Sequence, residues 1–109
     1  MRSVNRFTLI GNVASLRQFD KVVKITVATD RAGTDAIGKP VKSTDFIQVS
    51  LLNERQRTWA AANVGVGDEV FVEGRIQSTK FEKNGEAQYG TDFVATLFNL
   101  LRSKDDSAE

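Results

Sequence analysis

Two residue types that carry much of protein chemistry are missing from this chain: it has no cysteine and no histidine. Without cysteine there are no disulfides and no thiolate nucleophiles. Without either residue, zinc sites built on them, imidazole bases and Ser-His or Cys-His pairs are excluded. Carboxylate chemistry survives, and the adjacent acids Asp68/Glu69 and Asp105/Asp106 are its only hint. Asp68 follows Gly65-Val66-Gly67 and reads as a turn residue before a strand, and Asp105/Asp106 as a solvated end. The expectation is a binding protein and not an enzyme, with no cofactor and no metal. No apolar run approaches the roughly 18 residues that span a bilayer. Residues 1–6 lack the apolar centre of a signal peptide. The expected location is the cytoplasm, with no membrane partner.

What is present suits one modest domain. The chain has 109 residues, of which 40% are hydrophobic and 27% charged, which is ordinary for a globular protein. A core of this size stabilises only marginally, so partner chains would add useful burial. The formal net charge is +1. Three of the 14 acidic groups fall in the last five residues, leaving 15 basic against 11 acidic, net +4, over residues 1–104. A mildly basic body with an acidic end is compatible with phosphate binding without establishing it.

Apolar residues recur with period two, and β-branched residues are frequent, so the chain reads as mostly β. Strands are expected over residues 4–12, 21–29, 44–52, 69–80 and 88–101, with Gly11 marking a bulge or bend. Residues 30–43 read as a long polar loop containing Gly33, Gly38, Pro40, Arg31, Lys39 and Lys42. Asn53 followed by Gln56 fits a capping box, and Trp59 with Ala60, Ala61 and Ala62 suits a short helix that Gly65 and Gly67 stop. Trp59 is expected to plug the barrel. The order β-β-β-α-β-β is that of the OB-fold: all-β, five strands, one short helix between strands 3 and 4. Composition and period alone leave other small barrels open.

The most informative stretch runs from Asp68 to Phe98. Asn84-Gly85 supplies the positive φ of a tight reversal between two long strands. Lys80, Phe81, Lys83 and Tyr89 sit near that tip. Cations beside rings suit a flexible anionic strand with unstacked bases, because cations meet phosphates and rings meet base faces. Phe46 shares a strand face with Gln48 and Ser50, while Ile47, Val49 and Leu51 already supply the core face. Phe46 and Phe81 are therefore candidate stacking residues. Tyr89 either stacks or braces the hairpin. Phe7, Phe71, Phe93 and Phe98 are assigned mainly to core or subunit packing, with Phe71 open to a surface or interface role.

Glu73-Gly74-Arg75, Thr79-Lys80-Phe81, Asn84-Gly85 and Tyr89 together closely resemble the bacterial single-stranded DNA-binding protein family. So do residues 4–12, 25–29, 44–49 and 66–76, and the resemblance spans residues 3–101. It implies an OB-fold domain over residues 1–102 that binds single-stranded DNA whatever its sequence. It also implies roles in replication, recombination and repair, and a homotetramer built as a dimer of dimers. Phe46 and Phe81 fall where the family commonly has stacking tryptophans. Two positions depart from the pattern: the 30–43 loop has no aromatic, and Leu52 stands where a phenylalanine is often found. Candidate phosphate contacts are Arg6, Arg31, Lys39, Lys42, Arg75, Lys80 and Lys83. Arg6 has a subunit interface as its rival role, and Arg75 a salt bridge. Residues 103–109 are expected to be a short, disordered acidic tail. It lacks the terminal Pro-Phe through which relatives recruit replication proteins, so such recruitment is not expected. The rival reading is an OB-fold module for protein interaction or RNA, with weakened DNA binding.

Overall fold

The computed structural model describes residues 2–104. Five strands and one helix follow in the order β1 (Phe7–Gln18), β2 (Val23–Thr34), β3 (Pro40–Leu51), α1 (Glu54–Asn63), β4 (Glu69–Lys83) and β5 (Glu86–Arg102). The strands close a barrel in the order β1-β2-β3-β5-β4. All neighbours are antiparallel except β3 and β5, which meet in parallel at Val49↔Phe93 and Ser50↔Val94. The period-two pattern explains the filling: Val23, Ile25 and Val27 of β2, Val49 and Leu51 of β3, and Val70 and Val72 of β4 all point inward and are buried. Phe7 meets Phe93 edge-on at 5.3 Å, and Phe98 is buried at the end where α1 sits.

Two glycines let the strands cross closely. A Cβ on Gly11 would run into the Ala28 carbonyl, and one on Gly74 into the Val94 carbonyl. Gly11 thus marks a close approach, and the bulge of β1 lies further on, between Val13 and Ser15. That bulge breaks the apolar alternation, so the period-two pattern stops at residue 12 although β1 stays paired to β2 as far as Gln18. Ahead of β1, Asn5 imitates a strand residue: its amide donates to the Ile76 carbonyl (2.7 Å) and its oxygen accepts from the Ile76 N–H (2.8 Å).

The expected loop over residues 30–43 is instead a hairpin. β2 and β3 remain paired out to Thr34↔Pro40. Asp35 closes the tip by accepting from the N–H groups of Ile37 (3.0 Å) and Lys39 (2.9 Å), with Gly38 at φ 83°. Polar composition suggests a loop, but this ribbon projects past the barrel and has no core to face, so polar residues are tolerated on both sides. Pro40, lacking an N–H, stands at the first position of its strand. In the second hairpin Asn84 and Gly85 have φ of 54° and 80°, the backbone their sequence calls for.

Asn53 caps α1, its side chain accepting from the Gln56 N–H at 3.2 Å. The capping box is only half made, because the Gln56 amide donates to the Thr96 carbonyl (3.0 Å) and ties the helix to β5. Trp59 does not plug the barrel. It is 41% exposed and touches Phe98 only edge-on, at 6.4 Å. Ala60 and Val64 face inward in its place. One residue along a helix is a rotation of about 100°, and the small Ala60 side chain allows the helix close to the barrel. The turn reading of Asp68 agrees with the structure. Buried, it accepts from the Gly65 N–H (2.9 Å) and the Lys104 N–H (2.8 Å). Lys104 is thereby attached to the domain, while residues 105–109 of the expected tail lie outside the described residues.

Candidate nucleic-acid interface

Strand parity sorts the candidate residues onto faces, since cross-strand partners share a face and neighbours in sequence do not. On the outer face of β2–β3 lie the rows Ala28–Phe46, Asp30–Thr44 and Ala32–Lys42. Phe46 is 66% exposed there. Thr44 donates to the Asp30 carboxylate at 2.9 Å, so an acid shares the face with Phe46 and Lys42. Arg31 points to the other face, where its Nε donates to Asp45 at 2.9 Å. This pair tempers a cation that the sequence reading counts toward phosphate. Lys39 sits in the hairpin tip, and Arg6 is exposed just ahead of β1.

The second hairpin divides in the same way. Arg75, Gln77, Thr79, Phe81 and Lys83 share the outer face of β4, because Val70, Val72 and Gly74 point inward. Phe81 pairs with Gln88 and leans over Gly90, where a Cβ would lie 3.5 Å from its ring. It is 51% exposed. Lys80 and Tyr89 pair with each other on the opposite face, with the Lys80 ammonium 6.0 Å from the ring centroid. The tip cluster read from sequence is therefore two clusters back to back. Tyr89 is well exposed, and its pairing with Lys80 fits the bracing role as well as the stacking one. Arg75 donates to Gln77 Oε1 (3.1 Å), and among the described residues no carboxylate lies within salt-bridge distance of it.

Phe46 and Phe81 thus stand on the outer sides of β3 and β4, with β5 between them. A groove of about 300 Å³ lies where the end of β3 and the start of α1 meet β4 and β5, lined by Leu52, Gln56, Arg75 and Thr96 among others. Leu52 is half-exposed and offers this groove an apolar floor without a ring. Among the described residues neither phenylalanine is buried, so each keeps open ring surface on which a planar ligand can stack.

A closed five-stranded barrel with one helix after β3, carrying exposed rings and cations on two projecting hairpins, defines an OB-fold of the strand-binding class. Residues 4–101 match the family described as the single-strand binding protein family, and the chain belongs to it. It is 28% identical over 110 residues to "Single-stranded DNA-binding protein 2" of Streptococcus agalactiae serotype III, covering 95% of this chain and 82% of that one. The fold is similar to that of the Plasmodium falciparum SSB solved as a complex with ssDNA (TM-score 0.75, 20% identity, 94% of this chain and 97% of that chain). It is also similar to the small single-stranded DNA-binding protein of Streptomyces coelicolor (TM-score 0.60, 23% identity, 92% and 95%).

Proposed function

We propose that this protein binds single-stranded DNA irrespective of sequence and covers exposed strands during replication, recombination and repair. The observation that carries the reading is the pair of exposed rings, Phe46 and Phe81, on the outer face of two hairpins. Rings stack on any base, and Lys42, Lys83 and Arg75 on the same faces meet phosphates without reading sequence. Protection is by occupancy, with no catalysis and no cofactor, and the site of action is the cytoplasm. No helix among the described residues is long and apolar enough to cross a membrane.

The working form is a homotetramer. The outer face of β1, β4 and β5 exposes Ile10, Leu97 and Leu101 beside the half-buried Phe71, an apolar surface that a second copy would bury. Pooling subunits raises the effective concentration of rings along one strand. A titration with oligo-dT at two salt concentrations, with duplex and RNA of equal length as competitors, tests the reading. Tight binding that weakens with salt and is not displaced by duplex supports it. Equal affinity for duplex refutes it, and preference for RNA replaces it with an RNA-binding function.

A further inference from the structure

The outward face of α1 lies apart from the two hairpins and contributes little to the core. Arg55, Thr58, Trp59 and Ala62 share it at the spacing of one helical face, and all four are exposed. Ala60 and Val64 fill the gap to the barrel, while the Trp59 indole meets Phe98 only edge-on. A large ring left at the surface of a short helix is poorly explained by packing. Tryptophan and arginine are the side chains that most often dominate binding between proteins.

Two grooves flank this face. One, of about 500 Å³, follows Trp59 from Arg55 to Asn63. The other, of about 510 Å³, separates α1 from the β1–β2 turn, with Val23, Ala61 and Arg57 in its lining. Thr58 and Ala62 line both, so the grooves share a wall. Arg57 donates through Nη1 to the Asp20 carbonyl (3.1 Å), which fixes the guanidinium against the turn. No acceptor among the described residues reaches its Nε or Nη2, the edge that takes a carboxylate by two parallel bonds.

Charge selects the occupant. Residues 17–24 and α1 together hold five cations, Arg17, Lys21, Lys24, Arg55 and Arg57, against two acids, Asp20 and Glu54, in a chain of net charge +1. Glu54 lines the groove beside Trp59. A phosphate chain would carry a charge past that carboxylate at every nucleotide. A peptide can place its acids only where cations stand and an apolar side chain against the indole.

We propose that this face of α1 docks an acidic segment of a partner protein, with carboxylates on Arg57 and Arg55 and an apolar side chain between them on Trp59. The proposal stands independently of the single-strand reading.

The test follows a short labelled peptide of alternating glutamate and leucine by its anisotropy and by the emission of Trp59, the chain's only tryptophan. The parent protein should bind the peptide with a shift in that emission, and the same peptide with glutamine for glutamate should not bind. Trp59→Ala should weaken peptide binding about ten-fold and Arg55→Glu about five-fold, while both variants bind oligo-dT as the parent does. Arg55 is exposed, so Arg55→Glu reads the surface even where Trp59→Ala loosens the helix. No binding by the parent, equal binding of the glutamine peptide, or parent-like binding by both variants overturns the proposal. Displacement of the probe by a free peptide of residues 105–109 assigns the face to this chain's own end. Displacement by oligo-dT with a shift in Trp59 emission assigns it to the strand, and a changed oligomeric state in Trp59→Ala assigns it to a second copy. Each of these three results also overturns an acidic partner.

Discussion

Truncation of Phe81 to alanine separates a binding ring from a packing ring. The side chain is 51% exposed, near the end of β4, with Gln88 opposite and Gly90 under its edge. Its structural contribution is that of a cross-strand pair, up to about 1 kcal/mol. For a domain of this size that corresponds to a fall in melting temperature of at most about 8 °C. Its contribution to binding is one stacked base, about 1–3 kcal/mol, which is about 5- to 150-fold in Kd. The control is Phe98→Ala: Phe98 is buried beneath α1, so the cost should be about 3–5 kcal/mol of stability. Anisotropy of a labelled oligo-dT and a thermal melt, run on the same preparations, give both numbers. If Phe81→Ala melts the barrel and the surviving fold binds as before, the assignment of this ring to the ligand is refuted.

Arg31→Ala should weaken binding less than Lys42→Ala, because Asp45 occupies Arg31 on the face away from Phe46; salt-dependent titrations of the two variants decide it. Intrinsic tryptophan emission should change little on saturation with oligo-dT, since Trp59 lies on α1, apart from Phe46 and Phe81, while Phe81→Trp should be strongly quenched; deep quenching of the parent would place α1 on the strand's path. Asp68→Ala should cost about 3 kcal/mol in a denaturant melt, because two N–H groups lose a buried charged acceptor. Gly74→Ala should destabilise by at least about 1–3 kcal/mol through overpacking against the Val94 carbonyl, again read from the melt.

The order of elements was legible in the sequence because each rests on short-range physics. Alternating Val and Ile make strands, Asn53 caps a helix, Asn84-Gly85 reverses the chain and Asp68 ties a turn. The exposure of Phe46 could also be inferred, since Ile47, Val49 and Leu51 already claimed the core side of β3. The hairpin over residues 30–43 was hidden because ribbons that project beyond a barrel need no apolar face. Trp59 misled because hydrophobic size points to burial, whereas Ala60 fits the tight gap between helix and barrel. Phe81 and Tyr89, eight residues apart, looked like one cluster. The β4–β5 register sets Tyr89 against Lys80 and Phe81 against Gln88, and a single step in register separates the two faces of a sheet. Local sequence determined which rings and cations this protein owns. Only the pairing of distant strands decided which share a surface, because that depends on register between segments that have no covalent memory of one another.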